Sequence, residues 1–136
     1  MPAGTTPIFA AAPNVSWGTA ITTANTAKDG TGTVVTCFTA GAQGSFIQRI
    51  RFRPAGTNVA TVARIFINNG ATNATASNNT LWDEITLAAT TLSEVAALST
   101  YELPLNFGLQ AGYKINVTIG TTVAAGYAPT VIGSDY

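Results

Sequence analysis

The stretch Ser45-Phe46-Ile47-Gln48-Arg49-Ile50-Arg51-Phe52-Arg53 decides the fold class. Ile50 and Phe52 alternate with Arg49, Arg51 and Arg53. A repeat of two belongs to a strand, whose successive side chains point to opposite faces; a helix repeats every 3.6 residues. The alternation sets three guanidinium groups on one face and an apolar pair on the other. Pro54-Ala55-Gly56 ends the run, and Ala40-Gly41-Ala42-Gln43-Gly44 before it reads as a turn.

The same texture continues in both directions. Asn25-Thr26-Ala27-Lys28-Asp29-Gly30 ends in a turn signal, and the β-branched run Thr33-Val34-Val35-Thr36-Cys37-Phe38-Thr39 reads as a strand. Residues 59–67 read as the next strand, with Val62, Arg64 and Phe66 on one face and Ala63, Ile65 and Ile67 on the other; Val62 and Phe66 are assigned inward. Asn68-Asn69-Gly70 closes it. In 81–87, Leu81, Asp83, Ile85 and Leu87 share a face. Residues 88–99 fit both a short helical turn and an irregular strand. Residues 101–105 are strand-like, and Pro104 points to an edge or a bulge. In 113–119, Tyr113, Ile115, Val117 and Ile119 alternate with Lys114, Asn116 and Thr118, which predicts a half-buried strand. Residues 127–132 close the set. About eight short strands at regular spacing predict an all-β fold, an antiparallel β-sandwich that is jelly-roll-like. Residues 16–136 are expected to form this single domain. Residues 1–15, proline-rich at first and without a period, are expected to form an extended N-terminal arm.

The composition limits function. Of the 136 residues, 9% are charged, against about 25% in ordinary domains, and the formal net charge is zero. A neutral chain exerts no general pull on nucleic acid or an anionic membrane, and low charge eases association. No run approaches the roughly 20 apolar residues of a membrane span. The N-terminus lacks the basic and apolar regions of a signal peptide, so synthesis in a cytoplasm is expected.

Chemistry has little to work with. There is no histidine, which removes the usual general base and the commonest metal ligand. The single cysteine, Cys37, sits in an apolar run and reads as a core residue. Asp83 and Glu84 are adjacent, so in a strand they point to opposite faces and cannot act on one substrate together. Gly30-Thr31-Gly32 and Gly41-Ala42-Gln43-Gly44 lack the Lys-Ser/Thr of a phosphate loop. The expectation is no enzyme, no catalytic or metal residues, no cofactor and no small-molecule substrate.

The arginine face stands out. Arg49, Arg51 and Arg53, with Arg64 expected on a paired strand, hold four of the six cationic residues. One reading is a solvated face neutralised by Glu84, Glu102 or Asp83 across strands. The other is a contact patch for an acidic partner surface, for which arginine is well suited. Trp17 and the arm residues Pro7, Ile8 and Phe9 complete the contact candidates. Trp17, Trp82 and the tyrosines also leave open a sugar-binding platform.

Several stretches resemble small structural proteins of tailed bacteriophages. They are Trp17-Gly18-Thr19-Ala20, the run 22–32, Phe38-Thr39-Ala40-Gly41, Gly56-Thr57-Asn58-Val59-Ala60-Thr61, Phe66-Ile67-Asn68-Asn69-Gly70 and Gly112-Tyr113-Lys114-Ile115-Asn116-Val117-Thr118. The resemblance covers most of the chain after about residue 15 and rests on turns and strand faces. It implies a head decoration, or cement, protein: a β-sandwich on the outer capsid surface of the virion, made in the host cytoplasm. Its implied partners are the major capsid protein and its own copies as a homotrimer, with no nucleic acid and no membrane. A tail or fibre-associated virion protein and a carbohydrate-binding module are the alternatives.

Overall fold

The computed structural model describes residues 10–136. Eight strands follow one another: β1 (Ala12–Trp17), β2 (Val35–Thr39), β3 (Ser45–Pro54), β4 (Thr61–Asn68), β5 (Asn79–Leu87), β6 (Tyr101–Leu109), β7 (Lys114–Ile119) and β8 (Tyr127–Asp135). One sheet (A) has the order β1-β8-β3-β6 and the other (B) β2-β7-β4-β5. Every pairing is antiparallel. The pairs β1·β8, β2·β7, β3·β6 and β4·β5 are nested like one long hairpin, and β8·β3 and β7·β4 join them into sheets. That order is a jelly roll. The expected antiparallel β-sandwich is therefore the fold.

The core lies between the sheets. Ile47, Ile50, Phe52, Leu109, Tyr127 and Val131 of sheet A face Phe38, Ala63, Ile65, Leu87, Ile115, Val117 and Ile119 of sheet B. Ile47 and Ile50 both enter the core cluster although three residues apart, and a regular strand cannot turn both to the same face. The register shifts between Ile47 and Arg49 against both neighbours, and Gln48 is turned out. This bulge restores the inward face before the Ile50–Phe52 alternation begins.

Four expectations are corrected. The expected arm loses its last part, because Ala12–Trp17 pairs with β8 from Ala12↔Asp135 to Trp17↔Thr130. On β4 the inward set is Ala63 and Ile65, and Phe66 is buried outside the main core cluster. On β5 a bulge at Trp82 sets Leu81 opposite Phe66, so Leu81 leaves the face of Asp83, Ile85 and Leu87. On β7 Asn116 and Thr118 are buried as well as the apolar set. Beside this face runs the 18–34 connection: Ile21 enters the core and pairs with Tyr127 of sheet A, and the part from Asn25 onward is pinned to sheet B at two corners. Asn25 N donates to Ile119 O (2.8 Å) at one corner. At the diagonal corner, Asn73 Nδ2 donates to Gly32 O (2.8 Å) and Asn79 Nδ2 to Asp29 O (3.2 Å). Residues 88–99, left open between helix and strand, form neither, and only Thr90 makes a bridge, to Asn58.

The C-terminal end is latched to the start of the sheet. Asn14 Nδ2 donates to both Asp135 carboxylate oxygens (3.0 and 3.1 Å), and the Ser45 hydroxyl donates to Oδ1. The Ser45 hydroxyl, then the Asn14 amide, hold the Asp135 carboxyl below its ordinary 3.8. A carboxyl depressed by folding stabilises the fold above its unfolded pKa, and that contribution is lost as pH falls through the folded value. Asp135→Asn is therefore expected to lower the urea midpoint at about pH 6, with the gap from wild type narrowing at about pH 2.5. A gap of the same size at both pH values would refute the latch.

Candidate contact face

The outer face of sheet A carries the candidate site. After the bulge, the alternation in β3 buries Ile50 and Phe52 and turns Arg49, Arg51 and Arg53 outward. Residues opposite one another on paired strands share a face. The register thus lays out two full rows across the sheet: Val15, Ile132, Arg49 and Pro104, then Trp17, Thr130, Arg51 and Glu102. Ala128 and Arg53 begin a third. Trp17 is 71% exposed and Val15 50%. Between Val15 of β1 and the β3 wall (Arg51, Arg53) runs a groove of about 440 Å³, floored by Ala128, Thr130 and Ile132 of β8; Trp17 stands at its β1 side, across Thr130 from Arg51.

The charges on this face are not matched. Glu102 is shared by Arg49 (Nε···Oε2 3.8 Å) and Arg51 (Nε···Oε1 3.9 Å), both beyond hydrogen-bond distance and about half exposed. Arg53 is committed elsewhere: its Nη1 donates to Leu98 O and Thr100 Oγ1, each at 3.0 Å. The Arg51 side chain makes no hydrogen bond among the described residues. Three guanidinium groups thus stand with one carboxylate; the side chains of Arg49 and Arg51 both lack a hydrogen-bond partner among the described residues, and of these two Arg51 lines the groove. Neither reading of the arginine face from sequence is complete: Glu102 neutralises part of it, and a positive, partly apolar surface is left.

Arg64 does not belong to this face, contrary to the expectation that it sits on a paired strand. The β3–β4 connection crosses from sheet A to sheet B, so the two strands never pair. Arg64 lies on the outer side of sheet B, 9% exposed, with Nε donating to Glu84 Oε1 at 2.8 Å. It pairs with a half-exposed Glu84, and Gly120 lies against its guanidinium. Pro7, Ile8 and Phe9 lie outside the described residues.

Two side chains of the groove, Val15 and Ile132, were not candidates in the sequence reading. Asn14-Val15-Ser16-Trp17 does alternate polar and apolar, and that signal marks β1; the prolines before it hid the strand. Trp82, the other exposed tryptophan, lies on sheet B, where its ring packs 4.8 Å from that of Phe107 and seals the β5–β6 side of the sandwich.

The face offers binding groups and little else. Guanidinium groups do not exchange protons in the physiological range, and Glu102 is the lone carboxylate beside them. Among the described residues no three His, Cys, Asp or Glu side chains come together to hold a metal ion. Cys37 is 1% exposed, and burial pushes its thiol up to about 12. It is expected to resist a thiol-specific disulfide reagent in the native protein at about pH 8 and to react fully in denaturant. Rapid native-state labelling would contradict its place in the core.

No protein-family model matches the chain, nor does any curated protein or solved structure.

Proposed function

We propose that this chain is a virion structural protein of a tailed phage, a head decoration protein that acts by contact with the capsid protein and with its own copies. The observation that carries the contact reading is the asymmetry of the two sheets. On the outer side of sheet B Arg64, Asn116 and Thr118 are buried and residues 25–32 are pinned at two corners, with β5 alone left exposed there, whereas the outer side of sheet A joins an exposed tryptophan, a groove and unmatched arginines. Aromatic residues and arginine are the side chains that interfaces favour. The virion part of the reading is supported by the resemblance of the strand and turn motifs, and the jelly roll is a frequent capsid-associated architecture, which by itself implies no role.

The test is the copy number of the chain relative to the major capsid protein in purified virions, by quantitative mass spectrometry. A near-stoichiometric ratio is the expected result. A handful of copies moves the protein to the tail or a vertex, and its absence from virions ends the reading.

One observation favours a second reading. Trp17 stands exposed across Thr130 from Arg51, an aromatic plane beside hydrogen-bond donors, which suits a carbohydrate-binding module. That reading requires the Trp17 emission to change on adding glycans, and a flat response over a broad panel removes it.

A further inference from the structure

We infer that the groove along β8 receives a second copy of this chain, with the exposed corner at residues 92–95 of one molecule seated between Trp17 and Arg51 of the next. The inference rests on reading the outer face of sheet A as the contact surface.

The corner has the chemistry that the groove lacks. Leu92 is 55% exposed and Val95 96%, unusual for apolar side chains so close together. Glu94 between them is exposed, and it is the sole charged residue from 85 to 101. The corner is held in shape. Leu92 N donates to Thr57 Oγ1 (3.0 Å), Val95 N to Ser93 Oγ (3.2 Å), and Arg53 grips Leu98 O downstream. A preformed corner loses little conformational freedom on docking.

The groove matches it in kind. Its β1 wall is apolar and its β3 wall is cationic, and the walls are two strand spacings apart, roughly 9–10 Å, which admits one chain. Leu92 and Val95 suit the Val15–Trp17 wall, and Glu94 suits the free donors of Arg51.

Charge also decides how two copies meet. A contact of the face with itself would set three arginines and one glutamate against the same group, and a contact of the corner with itself would bring Glu94 to Glu94. Corner against groove pairs opposite charges. The contact is therefore head-to-tail, which closes into a ring or continues as a filament according to its rotation.

Sedimentation velocity of the full chain over about 1–200 µM tests this. The wild type is expected to associate. Arg51→Glu and Glu94→Arg are each expected to weaken association at least about tenfold. The double variant Arg51→Glu/Glu94→Arg is expected to regain it, since its reversed corner then meets the reversed groove of the next copy in a ring of any size. Val95→Asn, at a site with almost no contact to its own fold, is expected to weaken association too, and unchanged circular dichroism establishes that each variant is folded. A wild type that stays monomeric, a charge reversal without effect, or a double variant that fails to recover overturns the inference. Binding to purified capsids lacking the chain separates the two failures. A monomer whose capsid binding depends on Arg51 keeps the contact face and loses the self-contact; a monomer whose capsid binding ignores Arg51 loses both.

Discussion

Asn58→Ala is expected to remove roughly 3–5 kcal/mol of folding stability, a large share of the 5–15 kcal/mol typical of a domain. Asn58 is 4% exposed. Its Oδ1 accepts from Ala125 N (2.9 Å) and Gly126 N (2.8 Å), and its Nδ2 donates to Gly126 O (3.0 Å) and Gly56 O (3.3 Å). Its backbone exchanges hydrogen bonds with Thr90, N to O at 3.1 Å and O from N at 2.9 Å. The side-chain amide thus ties the β3–β4 to the β7–β8 connection, and the backbone of the same residue holds the β5–β6 connection. None of these connections is a regular strand, so their peptide groups have no ladder to satisfy them. Truncation leaves buried backbone donors without partners, at about 1–3 kcal/mol each. Asn58→Asp separates the two halves of the amide: it keeps both acceptors, loses both donors and adds a buried charge, so it too is expected to be strongly destabilising. Urea unfolding of the three proteins is the measurement. A loss under about 1 kcal/mol for Asn58→Ala would mean that water replaces the amide and the hub is not structural.

Gly133→Ala is expected to lose about 3 kcal/mol, more than any propensity scale assigns to this change. Gly133 lies on β8 opposite Ile47, at the position where β3 bulges. A Cβ there would stand 2.6 Å from Phe46 O and 3.3 Å from Ile47 Cδ1. The first contact is to backbone in a central strand pair, so no rotamer change relieves it. The sheet itself must open at the bulge that sets the phase of the Arg49–Arg53 alternation. Gly108→Ala is the control. Gly108 is also a strand glycine, but the nearest atom to its added Cβ is Tyr136 Oη at 3.7 Å, an ordinary contact. Its substitution is expected to be near neutral. Equal thermal shifts for the two variants would show that Gly133 is not a close-approach glycine.

Both predictions rest on residues whose importance no pattern in the chain announces. Asn58 is one asparagine in a chain full of them, inside a stretch that reads as a turn. Its four side-chain partners come from segments about 70 residues apart in sequence at most, brought together only by the jelly-roll crossing. Gly133 follows an apolar run and reads as a strand end, and only the neighbouring backbone explains the missing side chain.

Other features were legible in advance, because they depend on local alternation. Period two between Arg49 and Arg53 places the guanidinium groups on one face whatever the strand pairs with, since successive side chains point to opposite sides. Turn residues at regular spacing, with no helical period, place the chain among the sandwiches. The position of Cys37 in the core follows from its apolar neighbours. What the tertiary structure decided is which face of each strand is wet and which strands are neighbours. Bulges at Gln48 and Trp82 reset the alternation by one residue, and nothing in composition marks them. On the outer side of sheet B Arg64, Asn116 and Thr118 are buried, polar residues that by sequence alone belong to solvent. The crossing from β3 to β4 separates Arg64 from the other arginines, and the pairing of β1 with β8 brings Trp17 to them instead. Alternation is a property of the local backbone, whereas neighbours are chosen by the burial of the whole chain, and the contact face depends on both.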